Sequence, residues 1–370
     1  MSESPIEFDE SSNRHNRRVM MPEKIKFYEQ LIDTHCLIDV RTPMEFDEDH
    51  IPGAYNVPLL TNEERVEVGT LYKQIGPIQA RRRGLELTCS KFYSMVDQII
   101  SLAAGKPIVV YCWRGGLRSY SVAMLVETCG IAARQLIGGY KAFRLQVIDY
   151  FERCDFPSSL IVMHGMTGTG KTEFINALDP VKWATIDLEG IACHRGSAFG
   201  ALGLEQNFTQ KHFETTLWNS FRRLPFDKLI VLEGESQRIG KYSLPGRLYQ
   251  KMAESYRVWC YATIETRISR LKVEYGRIEY RGEMLEALER IRKKMTVNCY
   301  AELKSSLDEW DVASIARRLI EGYYDKMYYK HRPWTPDLEL DLENYNNAEI
   351  ELYNYFETNS ALLARQQPLS

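Results

Sequence analysis

Short apolar runs alternate with stretches of helical periodicity along most of this chain. The apolar runs have the length of strands, and several end in charged residues or in a glycine-rich turn. Between them, apolar positions recur with helical spacing, as in residues 119–128 and 173–178. The runs that predict strands are 36–41, 107–111, 160–164, 183–189 and 229–235. Because strands that alternate with helices build parallel sheets, the pattern predicts an α/β fold.

The longest helical stretch covers about residues 61–105, between the first two predicted strands. Its apolar positions are periodic, but the run Arg-Arg-Arg-Gly at 81–84 interrupts the pattern. We therefore predict a helical insertion in the first sheet domain, broken near its middle.

Length and composition fit a soluble protein of two or three domains. The chain has 370 residues, 44% hydrophobic and 26% charged, which is enough for several cores. Its eight cysteines form no Cys-x-x-Cys pair, which argues against a zinc site or a disulfide framework. Residues 1–13 are polar and acidic, and no apolar run approaches the roughly 20 residues of a membrane span. These features predict a cytoplasmic protein without a membrane role.

The charge pattern indicates a nucleic-acid partner only weakly. The net charge is −3, yet basic residues cluster at 17–18, 81–83, 222–223 and 290–294. Each cluster alone is more typical of a solvated surface, and only their assembly on one surface would bind a phosphate backbone. Aromatic residues between 323 and 334 lie near cations and are able to stack bases, although such tyrosines more often pack between domains.

Residues 112–119, Cys-Trp-Arg-Gly-Gly-Leu-Arg-Ser, follow the predicted strand 107–111 directly. Two glycines let the backbone curl so that its N–H groups converge, and the next helix adds its positive end. Such a loop fits a tetrahedral anion and also stabilises a thiolate. Arg114 and Arg118 strengthen the field, so the run predicts a nucleophilic Cys112. The alternative is a buried cysteine beside a glycine-rich turn.

A second glycine-rich run, Gly-Met-Thr-Gly-Thr-Gly-Lys-Thr at 165–172, connects the predicted strand 160–164 to a predicted helix. This is the P-loop pattern in its strand–loop–helix context. Its N–H groups bind a di- or triphosphate, its lysine neutralises the charge, and its final threonine is placed to reach Mg²⁺ if one is used. The predicted diphosphate-binding residues are Gly165, Gly168, Thr169, Gly170, Lys171 and Thr172.

Charged residues farther along the chain extend this site. Glu233 and Glu235 end a predicted strand where a Walker-B aspartate usually stands, which weakens a plain ATP-hydrolysis reading. Arg267 and Arg270 lie one turn apart on a predicted helix, a spacing that suits a phosphate clamp or a solvated basic face equally well.

The first 150 residues resemble a rhodanese (sulfurtransferase) domain. The resemblance implies that Cys112 carries a persulfide or its selenium equivalent. Arg118 follows Cys112 by six positions, a wider spacing than most sulfurtransferases have, and it is similar to relatives that act on phosphate-type oxyanions. A phosphate-bearing donor is thereby implied. The resemblance is carried by Asp39-Val40-Arg41, Glu45-Phe46, His50-Ile51-Pro52-Gly53-Ala54, the run 112–119 and Gly138-Gly139-Tyr140.

The order of the two domains, with the runs 140–144, 194–197 and 233–236, resembles the family of bacterial tRNA 2-selenouridine synthases up to about residue 330. Members of that family geranylate the sulfur of wobble 2-thiouridine in tRNA from geranyl diphosphate. They then replace the geranylated sulfur with selenium from selenophosphate. The resemblance implies a transferase with tRNA as partner, these two co-substrates and no tightly bound cofactor. The choice of tRNAs, a need for Mg²⁺ and the oligomeric state do not follow from the sequence.

The resemblance also implies roles for individual residues. Cys112 and Lys171 are the predicted catalytic residues, and no metal ligand is predicted. The predicted selenophosphate-binding residues are Arg114, Gly115, Gly116 and Arg118. The candidate substrate-binding residues are Arg195, Glu233, Glu235, Arg238, Arg267 and Arg270.

These observations predict an N-terminal rhodanese-like parallel-sheet domain and a C-terminal P-loop NTPase-like parallel-sheet domain with helical insertions. Two other functions stay open: a P-loop kinase or NTPase fused to a rhodanese sulfurtransferase, and a noncatalytic tRNA-binding or phosphate-sensing module. The predicted segments are a flexible N-terminal segment 1–20, a rhodanese-like domain 21–150, a linker 151–159, a P-loop domain 160–335 and a C-terminal helical extension with tail 336–370.

Overall fold

The computed structural model describes residues 21–153, 156, 160–225, 228–330 and 334–359. The chain divides into two compact units, Met1–Gln146 and Val147–Ser370, and each unit has its own five-stranded parallel sheet. The predicted N-terminal segment 1–20 and the last residues of the tail, 360–370, lie outside the described residues. The α/β class with two parallel sheets is confirmed.

The sheet of the first unit has the strand order β1-β5-β4-β2-β3. Its strands are β1 Lys24–Ile25, β2 Cys36–Asp39, β3 Tyr55–Asn56, β4 Ile108–Tyr111 and β5 Ala133–Leu136. Its helices are α1 Leu31–Thr34, α2 Pro43–Glu48, α3 Asn62–Gln74, α4 Pro77–Thr88, α5 Phe92–Ala103, α6 Leu117–Thr128 and α7 Gly139–Arg153, with a short 3₁₀ turn at Cys89–Lys91.

The two central strands of this sheet, β2 and β4, are buried along their whole length, and apart from Asp39, which pairs with Arg41 at the end of β2, their centre is apolar. Such strands read as continuous apolar runs when both faces of a parallel sheet are covered. On one face, Ile38 and Val110 pack with Ile99 of α5 and Val122 of α6. The packing fixes the carboxyl end of β4, where residue 112 begins the glycine-rich loop.

The segment 61–105 holds three helices, α3, α4 and α5, but the break does not occur where the sequence predicted it. Helix α4 runs unbroken through residues 81–84. The chain turns instead at Gly76, whose φ of 140° is open only to glycine, and Pro77 then begins the next helix. The prediction failed because a single Gly84 inside a helix costs only about 1 kcal/mol, which packing offsets.

The sheet of the second unit has the order β12-β11-β6-β8-β7. Its strands are β6 Leu160–Gly165, β7 Trp183–Ile186, β8 Leu229–Glu233, β11 Tyr256–Tyr261 and β12 Leu338–Asp341, and β9 Arg238–Ile239 pairs separately with β10 Tyr242–Ser243. The helices are α8 Lys171–Ala177, α9 Leu188–Ala192, α10 Gln210–Phe221, α11 Gly246–Ala253, α12 Ile264–Tyr275, α13 Arg281–Ile291, α14 Val297–Asp308, α15 Val312–Leu319, α16 Asp325–Lys330 and α17 Tyr345–Thr358. Short 3₁₀ turns at Ile278–Tyr280 and Arg292–Lys294 and a π-helical segment at Ile320–Tyr324 complete this unit.

Strand β6 is central in this sheet, between β8 and β11. The loop that follows it therefore lies at the carboxyl edge of three neighbouring parallel strands, the position where open α/β sheets bind ligands. A separate apolar core joins α12, α13, α14 and α15, with Leu271, Leu288, Leu303 and Ile315 among its members. These helices form one side of the site described below.

The C-terminal segment adds an edge strand to the second sheet. Residues 338–341, predicted as part of a helical extension, form β12 and pair in parallel with β11. Leu340 is fully buried, and α17 packs Leu352 and Phe356 onto the same core. The alternation of Leu338, Leu340 and Leu342 is a strand pattern, but its partner lies about eighty positions earlier in the chain.

The predicted linker 151–159 also begins later than expected. Helix α7 continues to Arg153, so residues 151–153 form its last turn. Residues 154–155 and 157–159 lie outside the described residues. Among the helices of the described part of the chain, none combines the length and the apolar character that a membrane crossing requires.

Candidate functional site

Cys112 follows β4 directly and is buried at the base of its loop, with 3% of its surface exposed. The backbone N–H of Gly116 donates to its Sγ at 3.3 Å, and the hydroxyl of Ser119 lies 3.2 Å from the same sulfur. The loop N–H groups were predicted to converge on one point. In the structure, the N–H of Gly116 points at the Cys112 sulfur itself. Donors in this arrangement stabilise negative charge on sulfur.

The shape of this loop depends on two glycines at its closest contacts. Gly115 has a φ of 64°, and its N–H and that of Arg114 crowd the position where a Cβ on Gly139 would lie. That Cβ would also collide with the carbonyl oxygen of Cys112. The N–H of Tyr140 at the start of α7 donates to the Cys112 carbonyl at 2.9 Å. Gly138 and Gly139, which carry part of the rhodanese resemblance, therefore allow α7 to pack closely against the Cys112 loop.

The two loop arginines differ in their surroundings. Arg118 forms an ion pair with Glu45 at 2.6 Å and is largely buried, whereas Arg114 is exposed. Burial acts to raise the pKa of Glu45, but hydrogen bonds from Arg118 and Thr42 outweigh it and lower that pKa. Glu45 is therefore a carboxylate that holds the Arg118 guanidinium in one place.

Gln135 supports the cysteine loop and was missed by the sequence reasoning. Its amide donates to the carbonyls of Gly115 and Gly116 at 2.9 and 3.0 Å and to the hydroxyl of Ser119 at 3.0 Å. Gln135 is a buried polar residue in β5. Strand β5 pairs with β4, the strand that ends directly before Cys112. A buried amide needs partners, and here its partners are the loop.

The P-loop connects β6 to α8, as predicted. A Cβ on Gly165 would collide with the Cys260 carbonyl of β11, and one on Gly170, whose φ is 80°, would collide with the Tyr345 hydroxyl. Glycine is therefore required for the close packing of this loop. The Lys171 ammonium lies 3.2 Å from the carbonyl of Gly165, inside the curve of the loop.

Acidic groups surround Lys171. Burial acts to lower the pKa of its ammonium, but Tyr328, Glu189, Glu235 and Cys260 together outweigh burial and raise it. Lys171 is therefore a cation in this site, and its charge is available to a phosphate group.

Two carboxyl groups share a hydrogen bond beside this lysine. Burial, followed by the charge of Glu189, raises the pKa of Glu235 to about 8, and burial also raises the pKa of Glu189. The hydroxyl of Thr172 donates to Glu189 at 2.9 Å. Both carboxyls lie under Gly196, where a Cβ would approach within 2.7 Å of each. At neutral pH the pair therefore retains a proton.

A cavity of about 930 Å³ opens beside the P-loop. Eight of the residues predicted from the sequence line it: Gly165, Gly168, Gly170, Lys171, Thr172, Arg195, Glu235 and Arg270. Arg195 forms an ion pair with Glu274. Aromatic residues line the same cavity beside the charged ones: Trp259, Trp334, Tyr275, Tyr323, Tyr324 and Tyr328.

The other predicted residues lie elsewhere. Thr169 is fully buried and its hydroxyl donates to the carbonyl of Met166. Glu233 is fully buried, and it accepts from the N–H of Leu188 at 2.7 Å. Burial raises the pKa of Glu233, so it is a neutral core acid, and it does not line the cavity. Arg238 is exposed on β9 and does not line the cavity.

Arg267 and Arg270 bind the loop backbone and do not form a solvated face. Arg267 donates to the Thr167 carbonyl at 2.9 Å and pairs with Asp325 at 2.7 Å. Arg270 donates to the carbonyls of Thr169 and Leu342 at 2.5 and 2.7 Å. Arg267 is fully occupied in this way, and Arg270 alone of the two faces the cavity.

Several cavity residues had no clear sequence signal. Glu189 was seen only as the end of a strand run, and it lies in α9 beside Thr172. His164 lines the cavity against Trp334, with ring centroids 4.6 Å apart. Burial, with the nearby charges of Lys171 and Arg257, lowers the pKa of His164 to about 4, so its ring is neutral.

Comparison with known proteins gives the same two domains. A model of the rhodanese-like domain matches residues 25–146, and a model described as the tRNA 2-selenouridine synthase AAA domain matches residues 158–334. The crystal structure of the N-terminal domain of a putative ATP/GTP binding protein from Clostridium difficile 630 is 41% identical, with a TM-score of 0.32; the match covers 34% of this chain and 98% of that chain.

Full-length relatives match across both domains. A tRNA 2-selenouridine synthase from Pseudomonas syringae pv. syringae strain B728a is 33% identical over 327 residues, 80% of this chain and 88% of the relative. One from Pseudomonas putida strain W619 is 33% identical over 365 residues, 89% of this chain and 96% of the relative. With a rhodanese domain and a P-loop domain in this order and relatives that match along most of its length, the chain belongs to the tRNA 2-selenouridine synthase family.

Proposed function

We propose that this protein converts 2-thiouridine at the wobble position of tRNA into 2-selenouridine, through an S-geranylated intermediate. Its relatives are named for 2-selenouridine synthesis in tRNA, which supports the overall conversion. The observation that carries the proposal is the P-loop cavity. It joins a phosphate-binding loop to an aromatic wall, as a substrate with an anionic head and an apolar tail requires.

In the first step, the P-loop holds the diphosphate of geranyl diphosphate. The thiouridine sulfur forms a bond to the allylic carbon, and the electron pair of the breaking C–O bond passes to the diphosphate. The N3 proton of the base is released. Lys171 faces the oxygen on which negative charge grows, so its stabilisation is larger in the transition state than in the bound substrate.

The acidic pair beside Lys171 fits this role because it retains a proton. With one negative charge shared between Glu189 and Glu235, the site repels a diphosphate less than two carboxylates would. Arg195 and Arg270 add positive charge at the cavity wall. The same cavity admits the geranyl chain along its aromatic side.

In the second step, the Cys112 loop binds selenophosphate. Arg114, Arg118 and the loop N–H groups hold the phosphate oxygens, and Cys112 directs the selenium, which stays at the selenide level throughout the step. Selenium forms a bond to C2 of the base, the C–S bond breaks, and geranylthiol leaves with a proton. Water cleaves the P–Se bond and releases phosphate.

The second candidate, a kinase or NTPase fused to a sulfurtransferase, has less support. The residue at the Walker-B position, Glu233, is a buried neutral acid that does not line the cavity. The hydroxyl of Thr172 donates to Glu189. ATP turnover would therefore require a metal site built from other residues.

The test is nucleoside mass spectrometry on tRNA treated with the wild-type protein. Thiouridine-containing tRNA is incubated with both donors, with geranyl diphosphate alone, and with selenophosphate alone. We expect 2-selenouridine with both donors and S-geranyl-2-thiouridine with geranyl diphosphate alone. Unmodified thiouridine in all three, together with Mg²⁺-dependent ATP hydrolysis, would favour the kinase–sulfurtransferase.

A further inference from the structure

A second, smaller cavity lies behind the P-loop, within the helical core of the second unit. Its volume is about 40 Å³, and its wall is almost entirely apolar. Helix α15 contributes Ile315, Ala316 and Leu319 to the wall, and α13 contributes Met284. Dry apolar cavities of this kind accept apolar groups more readily than water.

This cavity adjoins the P-loop cavity directly. Five residues line both of them: Thr167, Ser197, Leu271, Tyr275 and Tyr324. Thr167 belongs to the phosphate loop itself, and Leu271 packs on that loop, since a Cβ on Gly168 would lie 3.0 Å from its side chain. An apolar chain attached to a diphosphate in the P-loop therefore has this wall beside it.

We propose that the small cavity is the subsite for the far end of the prenyl chain, where it binds the terminal isopropylidene group. This inference rests on the proposed function, because it assigns a position to one part of that donor. The volume accommodates about three water-sized groups, which matches the three carbons of an isopropylidene group. The first isoprene unit lies along the shared wall in the larger cavity.

The subsite would select for chain length. A five-carbon prenyl chain ends before it reaches the small cavity, and a fifteen-carbon chain carries five carbons more than the cavity volume of about 40 Å³ accommodates. Each buried methylene-sized group strengthens binding about fourfold, so three of them give a preference of about 60-fold for a chain that fills the cavity. The geranyl chain is the length that fills it.

The test compares prenyl diphosphates and inorganic diphosphate on the full-length protein by calorimetry. Ala316→Leu places a branched side chain in the cavity and should weaken geranyl diphosphate binding about 60-fold. Binding of dimethylallyl diphosphate and of inorganic diphosphate should change less than twofold. Ala313→Leu is the matched control, because Ala313 lies on the same helix and does not line the cavity.

Two results separate failure of this inference from failure of the proposed function. If wild-type protein binds geranyl diphosphate no more tightly than inorganic diphosphate, the prenyl donor itself is wrong and the inference falls with it. If the wild type prefers geranyl diphosphate and Ala316→Leu keeps that preference, the subsite alone is overturned.

A second variant decides the matter if Ala316→Leu fails to fold. Ile315→Ala enlarges the same cavity without adding volume to the core. We expect it to shift the preference from geranyl towards farnesyl diphosphate by tenfold or more. An unchanged ratio of the two affinities in a folded Ile315→Ala protein would contradict the subsite.

Discussion

The Cys112 loop and the P-loop are built from the same backbone device and differ in what surrounds it. Each follows a central strand of a parallel sheet, and each depends on glycines with positive φ. The Cys112 loop opens to solvent at Arg114 and Gly116, whereas the P-loop faces a cavity of about 930 Å³. The converging N–H groups of either loop therefore determine only that the ligand is an anion. Neighbouring side chains decide what else is bound and which atom reacts.

The two loops also manage their cations differently. Arg118 is held by a single carboxylate, Glu45, whose pKa is lowered. Lys171 lies among several acidic groups, of which Glu189 and Glu235 have raised pKa values. A fixed ion pair suits a site that positions a small donor. A protonated acid pair suits a site where negative charge increases during the reaction.

The largest effect that separates the two loops should come from Cys112→Ser. Selenation should fall by about 10³-fold or more, because a serine hydroxyl does not supply the thiolate that directs the selenium, while geranylation should be unchanged. Single-turnover assays with nucleoside mass spectrometry measure both steps. Cys129→Ser, an exposed free cysteine, is the control. Loss of geranylation in Cys112→Ser would show that the two loops do not divide the work in this way.

Lys171→Ala should produce the opposite pattern. Geranylation should slow by about 10²- to 10³-fold, since one preorganised charge is removed from the leaving group. Selenation of tRNA that already carries S-geranyl-2-thiouridine should continue at the wild-type rate. Lys272→Ala, an exposed lysine on α12, serves as the control. Slow selenation of the pre-geranylated tRNA would place Lys171 in both steps.

Glu235→Gln tests the acid pair through pH. The pKa of Glu235 is about 8, so above pH 8 the pair loses its shared proton and gains a charge that repels diphosphate. Wild-type affinity for inorganic diphosphate should then fall up to tenfold per pH unit, beyond the titration of the ligand itself. In Glu235→Gln the neutral amide cannot lose a proton, and this added fall should disappear.

Titration calorimetry between pH 6 and 10 measures the affinity of wild type and variant side by side. Glu265→Gln, an exposed position on α12, is the control. Parallel affinity curves for wild type and Glu235→Gln would show that the pair does not hold the proton that the site depends on.

The sequence predicted both loops because their information is local. A strand-length apolar run, glycines and a terminal lysine or cysteine specify a loop within about ten residues. The cavity wall could not be predicted in this way. Trp259 of β11 meets Tyr328 and Trp334, which belong to the aromatic segment about seventy positions later, only when the sheet and helices pack. Strand β12 was missed for the same reason, since its pattern is clear only beside β11.

The roles of charged residues were harder to predict than their positions. Arg267 and Arg270 have the spacing of a phosphate clamp, yet Arg270 binds two backbone carbonyls and Arg267 binds the Thr167 carbonyl and the Asp325 carboxylate. Glu233 stands where a metal-binding acid is expected and is a buried neutral group instead. The spacing of residues along a helix or strand determines on which face their side chains lie. Whether a charged side chain is available to a ligand depends on the residues that pack against it in the folded protein.

The smallest effect should come from Glu45→Gln in the Cys112 loop. The carboxylate of Glu45 receives two N–H groups of Arg118, at 2.6 and 3.2 Å, and a neutral amide holds that guanidinium less firmly. A partly exposed ion pair contributes about 1 kcal/mol, so KM for selenophosphate should rise about fivefold with kcat nearly unchanged. Glu86→Gln, which alters an exposed ion pair to Arg83, is the matched control. A lower KM would mean that Glu45 competes with selenophosphate for Arg118. The carboxylate of the Cys112 loop would then weaken donor binding, and it would not position the arginine for the donor.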